Sequence, residues 1–213
     1  WQEMFNEELS HHQGQNPYTA EDYFAYVDGK PRYDGVRDFL ASRGISLPEG
    51  DPSDGPDAQT ICGLGNRKND LFNTVLARDG IQPYPGSRRW VDMLQAHGVA
   101  MAVISSSRNA AAVLEAAGLA EDFPVLVDGN RAKAEKLPGK PAPDTYLKGA
   151  ELLGVRAEQC VVVEDAVSGV RAGAAGGFGM VLGVNRGVGA DRLRAAGADR
   201  VVDDLDEMAE EMA

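Results

Sequence analysis

The sequence predicts an α/β fold, with a parallel sheet in the second half of the chain and an all-helical first half. Two observations carry this. From about residue 87 onward, short apolar runs alternate with helical patterns, which is the signature of strand–helix–strand units. Before about residue 80, apolar residues recur at helical spacing and no run reads as a strand. The texture changes in the Pro/Gly-containing residues 81–86. A boundary is therefore expected at 82/83, dividing a helical unit (1–82) from an α/β unit (83–213), a plausible division for 213 residues.

Residues 1–9 have helical spacing, with Trp1, Met4, Phe5 and Leu9 on one face. No capping residue precedes them, so the chain is expected to be entered in the middle of a larger unit. A helix over 20–27 ends at Asp28-Gly29. The helix over 34–42 buries Val36, Phe39 and Leu40 and stops at Gly44. Residues 49–60, rich in Asp, Gly, Pro and Ser, read as a loop. Leu71, Phe72, Val75 and Leu76 mark a helix over 69–78. The second half then reads helix 87–97, strand 99–104, helix 109–117, strand 125–127, helix 144–153 and strand 160–163. Helix 167–175, strand 179–184, helix 191–196, strand 200–202 and a last acidic helix follow.

Composition narrows the function classes. With 43% hydrophobic and 25% charged residues the chain is globular in character. No apolar stretch approaches the roughly 18 residues needed to span a bilayer, and no signal-peptide pattern opens the sequence. The formal net charge of −12 argues against a nucleic-acid footprint. A small anionic substrate remains compatible, because a site needs only local positive charge. Cys62 and Cys160 cannot build a disulfide framework, and Cys160 reads as a buried strand residue, so a reducing, cytoplasmic setting is expected. A monomer or weak homodimer without membrane partners is the expected state.

Three stretches of the second half carry chemistry. The first apolar strand runs into Ser105-Ser106-Ser107-Arg108-Asn109. Hydroxyls, a cation, an amide and the N–H groups of a helix start suit a phosphate; the plainer reading is a serine-rich helix cap. Next, Lys140 is held between Gly139 and Pro141 before a helix, where it would neutralise a phosphoryl group as a point charge or simply be solvated. Last, Cys160-Val-Val-Val-Glu164-Asp165 ends an apolar strand in two adjacent acids. At the carboxyl end of a parallel strand such acids lie where α/β sheets bind ligands. They repel each other, so a cation is needed to keep both ionised. Mg²⁺, bound through one or two carboxylates and a substrate phosphate, is the candidate. Capping of the next helix is the alternative.

Taken in order, strand-Ser-Ser-Ser-Arg-Asn, Gly-Lys-Pro-Ala-Pro-Asp-Thr-Tyr and Val-Val-Val-Glu-Asp-Ala-Val-Ser-Gly-Val-Arg-Ala-Gly resemble the haloacid dehalogenase (HAD) superfamily, in its β-phosphoglucomutase-like branch. The resemblance covers essentially the whole chain. It implies a Rossmann-like parallel-sheet HAD core with a helical cap, acting as a phosphatase or phosphomutase on a small sugar phosphate with Mg²⁺. Under it Ser105 and Lys140 are catalytic groups at the phosphoryl, and Glu164 and Asp165 hold the metal. Ser107, Arg108 and Asn109 match a phosphate-contacting loop. Arg32 and Lys68 match cap residues that meet the substrate, although surface charge is the plain alternative for both. Phosphoryl transfer would then proceed by positioning and charge neutralisation through an aspartyl-phosphate.

One motif of the family does not appear. Its Asp-x-Asp-Gly supplies the nucleophile and the acid/base at the end of the first strand. Tyr26 stands where the nucleophile would be before Asp28-Gly29, and Leu126 before Asp128-Gly129. The resemblance therefore implies that the motif lies upstream of Trp1. The alternative is a non-catalytic sugar-phosphate-binding protein. A dinucleotide fold is excluded, because the glycines at 173–179 close a helix where the fingerprint must open one.

Overall fold

The computed structural model describes residues 1–212, with side chains described through residue 209. The chain forms two compact units that divide after Gly80. Among the described residues no helix is long and apolar enough to cross a membrane.

The first unit is helical: α1 (Gln2–Ser10), α2 (Ala20–Asp22), a π-helical turn (Tyr23–Val27), α3 (Arg32–Ser42) and α4 (Ile61–Asp79). Thr19 opens α2 with a capping box, its hydroxyl accepting from the Asp22 N–H while its own N–H donates to the Asp22 carboxylate. Met4, Phe5, Val36, Phe39, Leu40 and Leu64 are fully buried and form the core. Its centre is aromatic: Phe39 lies 4.2 Å from Phe5 and 4.9 Å from Tyr18 between ring centroids. Helix α4 begins at Ile61, eight residues before the start its apolar spacing suggests. Thr60 caps it by accepting from the Gly63 N–H. Gly63 and Gly65 weaken the helical signal, yet packing demands them. A Cβ on Gly63 would lie 2.2 Å from the Ala58 carbonyl oxygen, and one on Gly65 would lie 2.6 Å from the Tyr33 ring.

The second unit runs α5 (Pro85–Ala96), β1 (Ala102–Ile104), α6 (Ala110–Ala116), β2 (Val125–Val127), α7 (Gly129–Ala134), α8 (Asp144–Leu153), β3 (Val161–Glu164), α9 (Val167–Ala175), β4 (Met180–Val184), α10 (Ala190–Ala196), β5 (Arg200–Val202) and α11 (Asp206–Met212). Helix α7 has no counterpart in the sequence reading, because six residues are too few to show a period. Asp128 caps it by accepting from the Asn130 and Arg131 N–H groups. Strand β1 is half the expected length, and β3 starts one residue late and takes in Glu164. Cys160 consequently lies outside the strand and is only half-buried, its thiol donating to the Arg156 carbonyl. Cys62 is the buried thiol.

All strand pairings are parallel, but in two separate ladders, β1–β2 and β3–β4–β5. Backbone groups of successive strand residues point to opposite sides. The Ser105 N–H donates to Val127 O, so Val103 and Ser105 face β2 while Ala102 and Ile104 turn their backbone groups the other way. The Gly179 N–H donates to Cys160 O; by the same alternation Val162 faces β4 and Val161 and Val163 face away. These open edges of β1 and β3 flank an open cavity of about 620 Å³, lined by residues 102–104 and 161–163 together with Trp90, Leu94, Leu114 and Phe178. An apolar run predicts a strand buried on both faces, yet Val161 beside this cavity is 53% exposed.

Phe39→Ala should lower the stability of the helical unit by about 3–5 kcal/mol, since the rings of Phe5, Tyr18 and Tyr26 and the Arg43 guanidinium lose their partner. Urea denaturation followed by circular dichroism measures this. A loss below about 1 kcal/mol would mean that the aromatic core is not what holds the unit together.

Candidate functional site

Helix α8 brings the strand ends together. Its first turns reach β3, where the Tyr146 hydroxyl meets Glu164, and one turn later Gly149 packs on Ile104 at the end of β1. A Cβ on Gly149 would lie 2.5 Å from Ile104 Cδ1. The carboxyl ends of β1 and β3 therefore share one edge of the unit, the edge at which parallel sheets bind ligands. Helix α9 closes in from β3's other side. A Cβ on Gly169 would lie 2.1 Å from Glu164 Cδ, so only glycine lets α9 lie directly against this carboxylate.

Glu164 is 9% exposed, and its carboxylate is saturated. Oε1 accepts from the Lys140 ammonium and, at 2.5 Å, from the Tyr146 hydroxyl. Oε2 accepts from the N–H groups of Asp165 and Ala166, each at 3.1 Å. Four donors on four lone-pair positions is close to the most a carboxylate can take, and a buried charge needs such pairing. Lys140 is as buried as its partner, with 6% of its side chain exposed. The solvated-lysine reading is thereby replaced. Tyr146 stays protonated, because burial and then the Glu164 charge push its hydroxyl far above the ordinary tyrosine range.

Asp165 differs from its neighbour. It is exposed at the end of β3, and its own backbone N–H donates to its carboxylate. Desolvation by the surrounding wall, then the Glu164 charge, raise its pKa above the usual carboxylate value, while Lys140 and Arg186 pull it back down. Arg186, two residues beyond β4, is anchored by Asp204 at 2.9 Å and stacks over Tyr84 at 3.8 Å. Helix capping does not explain the two acids: α9 has Ala166 as its N-cap and no side-chain cap bond.

Beyond β1, the Ser105 hydroxyl accepts from the Ser107 N–H, and the Ser107 hydroxyl from the Asn109 N–H, both at 3.1 Å. Asn130 ties the Arg108 carbonyl to α7. Asn109 precedes α6 without a side-chain cap bond, so the serines shape the loop and do not cap the helix.

Arg32 and Lys68 gather in a separate cluster within the helical unit. The Lys68 ammonium lies 4.6 Å from the Phe72 ring centre and 5.0 Å from that of Trp1. Arg32 lies over Tyr33, 5.3 Å from its centre. Burial first and the like charge of Arg32 second hold the Lys68 ammonium below the ordinary lysine range.

Sequence reasoning assigned no role to Tyr146, Gly169 or Arg186. Tyr146 was within reach, being six residues past Lys140 across a helix start. Arg186 obeys the strand-end rule but is preceded by no motif.

Comparison with known proteins agrees with this geometry. The family description "haloacid dehalogenase-like hydrolase" matches residues 2–177. A β-phosphoglucomutase of Mycobacterium bovis is 50% identical over 192 residues, covering 89% of this chain and 73% of that protein. Hexitol phosphatase A of Escherichia coli is 33% identical over 192 residues, covering 89% and 78%. In fold, the crystal structure of β-phosphoglucomutase from Clostridium difficile superposes with a TM-score of 0.78 at 20% identity, covering 99% of this chain and 86% of that one. A saturated Glu164 beside Lys140, a loop of serines one strand away and relatives of this closeness lead to one assignment: the chain belongs to the haloacid dehalogenase superfamily, in the β-phosphoglucomutase-like branch of its phosphatases and phosphomutases.

Proposed function

We propose that the protein is a Mg²⁺-dependent phosphoryl-transfer enzyme acting on a small sugar phosphate, with the substrate of β-phosphoglucomutase as the first to test. The observation that carries this reading is the Lys140–Glu164–Asp165 arrangement at the strand ends: a buried lysine, its carboxylate, and a second carboxylate that is exposed. Among the described residues no three His, Cys, Asp or Glu side chains converge as a metal cage. Mg²⁺ takes one or two carboxylates and completes its shell with water and phosphate oxygens, which the pair Glu164 and Asp165 could provide for. Asp165 would hold the ion directly. Glu164 would join only by giving up a present donor. The ion would supply charge neutralisation at the phosphoryl group.

The residues of the chain divide the remaining work. Lys140 keeps two of its three hydrogens for phosphoryl oxygens. Ser105 and Ser107 use their oxygens as backbone acceptors, which leaves each O–H to donate to phosphate, and Arg108 and Asn109 extend that cradle. In the helical unit, Arg32 and Lys68 take the substrate's second anionic or polyhydroxy end. We place the nucleophilic aspartate upstream of Trp1, at the end of an apolar strand that fills the cavity between β1 and β3. Such a strand would pair with Ala102, Ile104, Val161 and Val163, which relieves the cost of unpaired backbone, and would end beside Asp165.

Intact mass of the natively expressed protein tests the strand: a value above 22.7 kDa, with Asp-x-Asp-Gly in the added segment, is expected, and 22.7 kDa would overturn it. In that protein, Asp165→Ala should cut Mg²⁺-dependent turnover of sugar phosphates at least about 100-fold; near-normal turnover would sink the assignment. Arg32→Ala should raise KM about tenfold, with metal dependence intact. Because the raised pKa of Asp165 means that protons compete with the ion, the Mg²⁺-induced rise in Tm should shrink as pH falls into the carboxylate range. An unchanged rise down to pH ~4 would remove Asp165 from the metal site.

A further inference from the structure

We propose that Tyr146 is a positioning residue of the phosphoryl site, whose hydroxyl fixes Glu164 and through it aims Lys140 at the phosphoryl group. The proposal rests on the reading of Lys140 as the phosphoryl-neutralising cation. Tyr146 is 7% exposed, and its ring is pinned edge-on by Phe178 with centroids 6.0 Å apart. Its hydroxyl shares Oε1 of Glu164 with the Lys140 ammonium. The ammonium in turn lies 5.0 Å from the centre of the Tyr146 ring. One side chain thus touches both members of the ion pair, holding the acid by a hydrogen bond and the cation by its π face.

Two physical consequences follow. An ammonium on a four-carbon stem has no fixed donor direction, so its aim depends on what holds its anchor. Oε2 is held by backbone, whereas among the described residues Oε1 has only Tyr146 and Lys140. Without the hydroxyl, Lys140 would become the sole donor to a buried, charged oxygen, and drawing it toward a phosphoryl group would strip that oxygen of its last partner. Such an orphan is expensive. With the hydroxyl present, Oε1 keeps a donor whichever way Lys140 turns. Phenylalanine would preserve the packing on Phe178 and remove this one function.

A double-mutant cycle on the natively expressed protein tests it, with inorganic phosphate and Mg²⁺ as separate calorimetric probes and Tm as the check on folding. Lys140→Met alone should weaken phosphate binding, and no effect there would refute the reading of Lys140 itself. Tyr146→Phe should weaken phosphate binding about tenfold, the worth of one hydrogen bond to a charged group, with Mg²⁺ affinity within about twofold of wild type. The double variant should bind phosphate no worse than Lys140→Met, because Tyr146 acts through the lysine. Unchanged phosphate affinity in Tyr146→Phe would overturn the proposal. So would additive losses in the double variant, or an equal loss of Mg²⁺ affinity, which would mark a general disturbance of the edge.

Discussion

A carboxylate taken out of water must be met by donors on every side, and the edge of the α/β unit is arranged around meeting that demand at Glu164. Four groups from three places in the sequence converge on it: Lys140 from the loop before α8, Tyr146 from α8, and the two N–H groups that lead into α9. The same demand explains two glycines. Gly169 lets α9 lie against the carboxylate, and Gly149 lets α8 settle on β1 while Tyr146 reaches β3. Glu164 is buried and saturated, whereas its neighbour Asp165 stays exposed, so the two adjacent acids differ in environment.

Backbone pairing is the second constraint on this unit. Two parallel ladders turn unpaired edges toward one apolar cavity. Water is a poor occupant of such a space, since the lining is mostly hydrocarbon. An extended apolar segment suits it on both counts, offering side chains to the walls and N–H and C=O groups to each edge.

The helical unit meets charge differently. Lys68 and Arg32 sit together over aromatic faces, and the influences on Lys68 are burial and a like charge. Rings stabilise a cation without neutralising it, so Lys68 retains its attraction for an anion. This contrasts with Lys140, whose charge is matched by a buried carboxylate from the start.

Much of the architecture was legible from local pattern. The helix over 144–153 and the strands over 125–127 and 200–202 have the bounds that apolar spacing indicated, and the alternation of elements identified a parallel sheet. Ser105, Lys140, Glu164 and Asp165 were readable because each stands at a strand end or helix start. Where local pattern misled, a distant contact was responsible. The glycines that hid the first turns of α4 answer to Tyr33 and Ala58, and the half-exposure of Val161 answers to an open edge that no single strand reveals. By itself the sequence determined periodicity, element order and the chemical types present at the sheet edge, since these depend on neighbours within a few residues. Tertiary structure alone decided that Lys140 is paired and buried, that Tyr146 joins it and that Asp165 stays exposed. Burial and pairing are properties of groups brought together from positions 24 and 18 residues apart, and no local spacing encodes them.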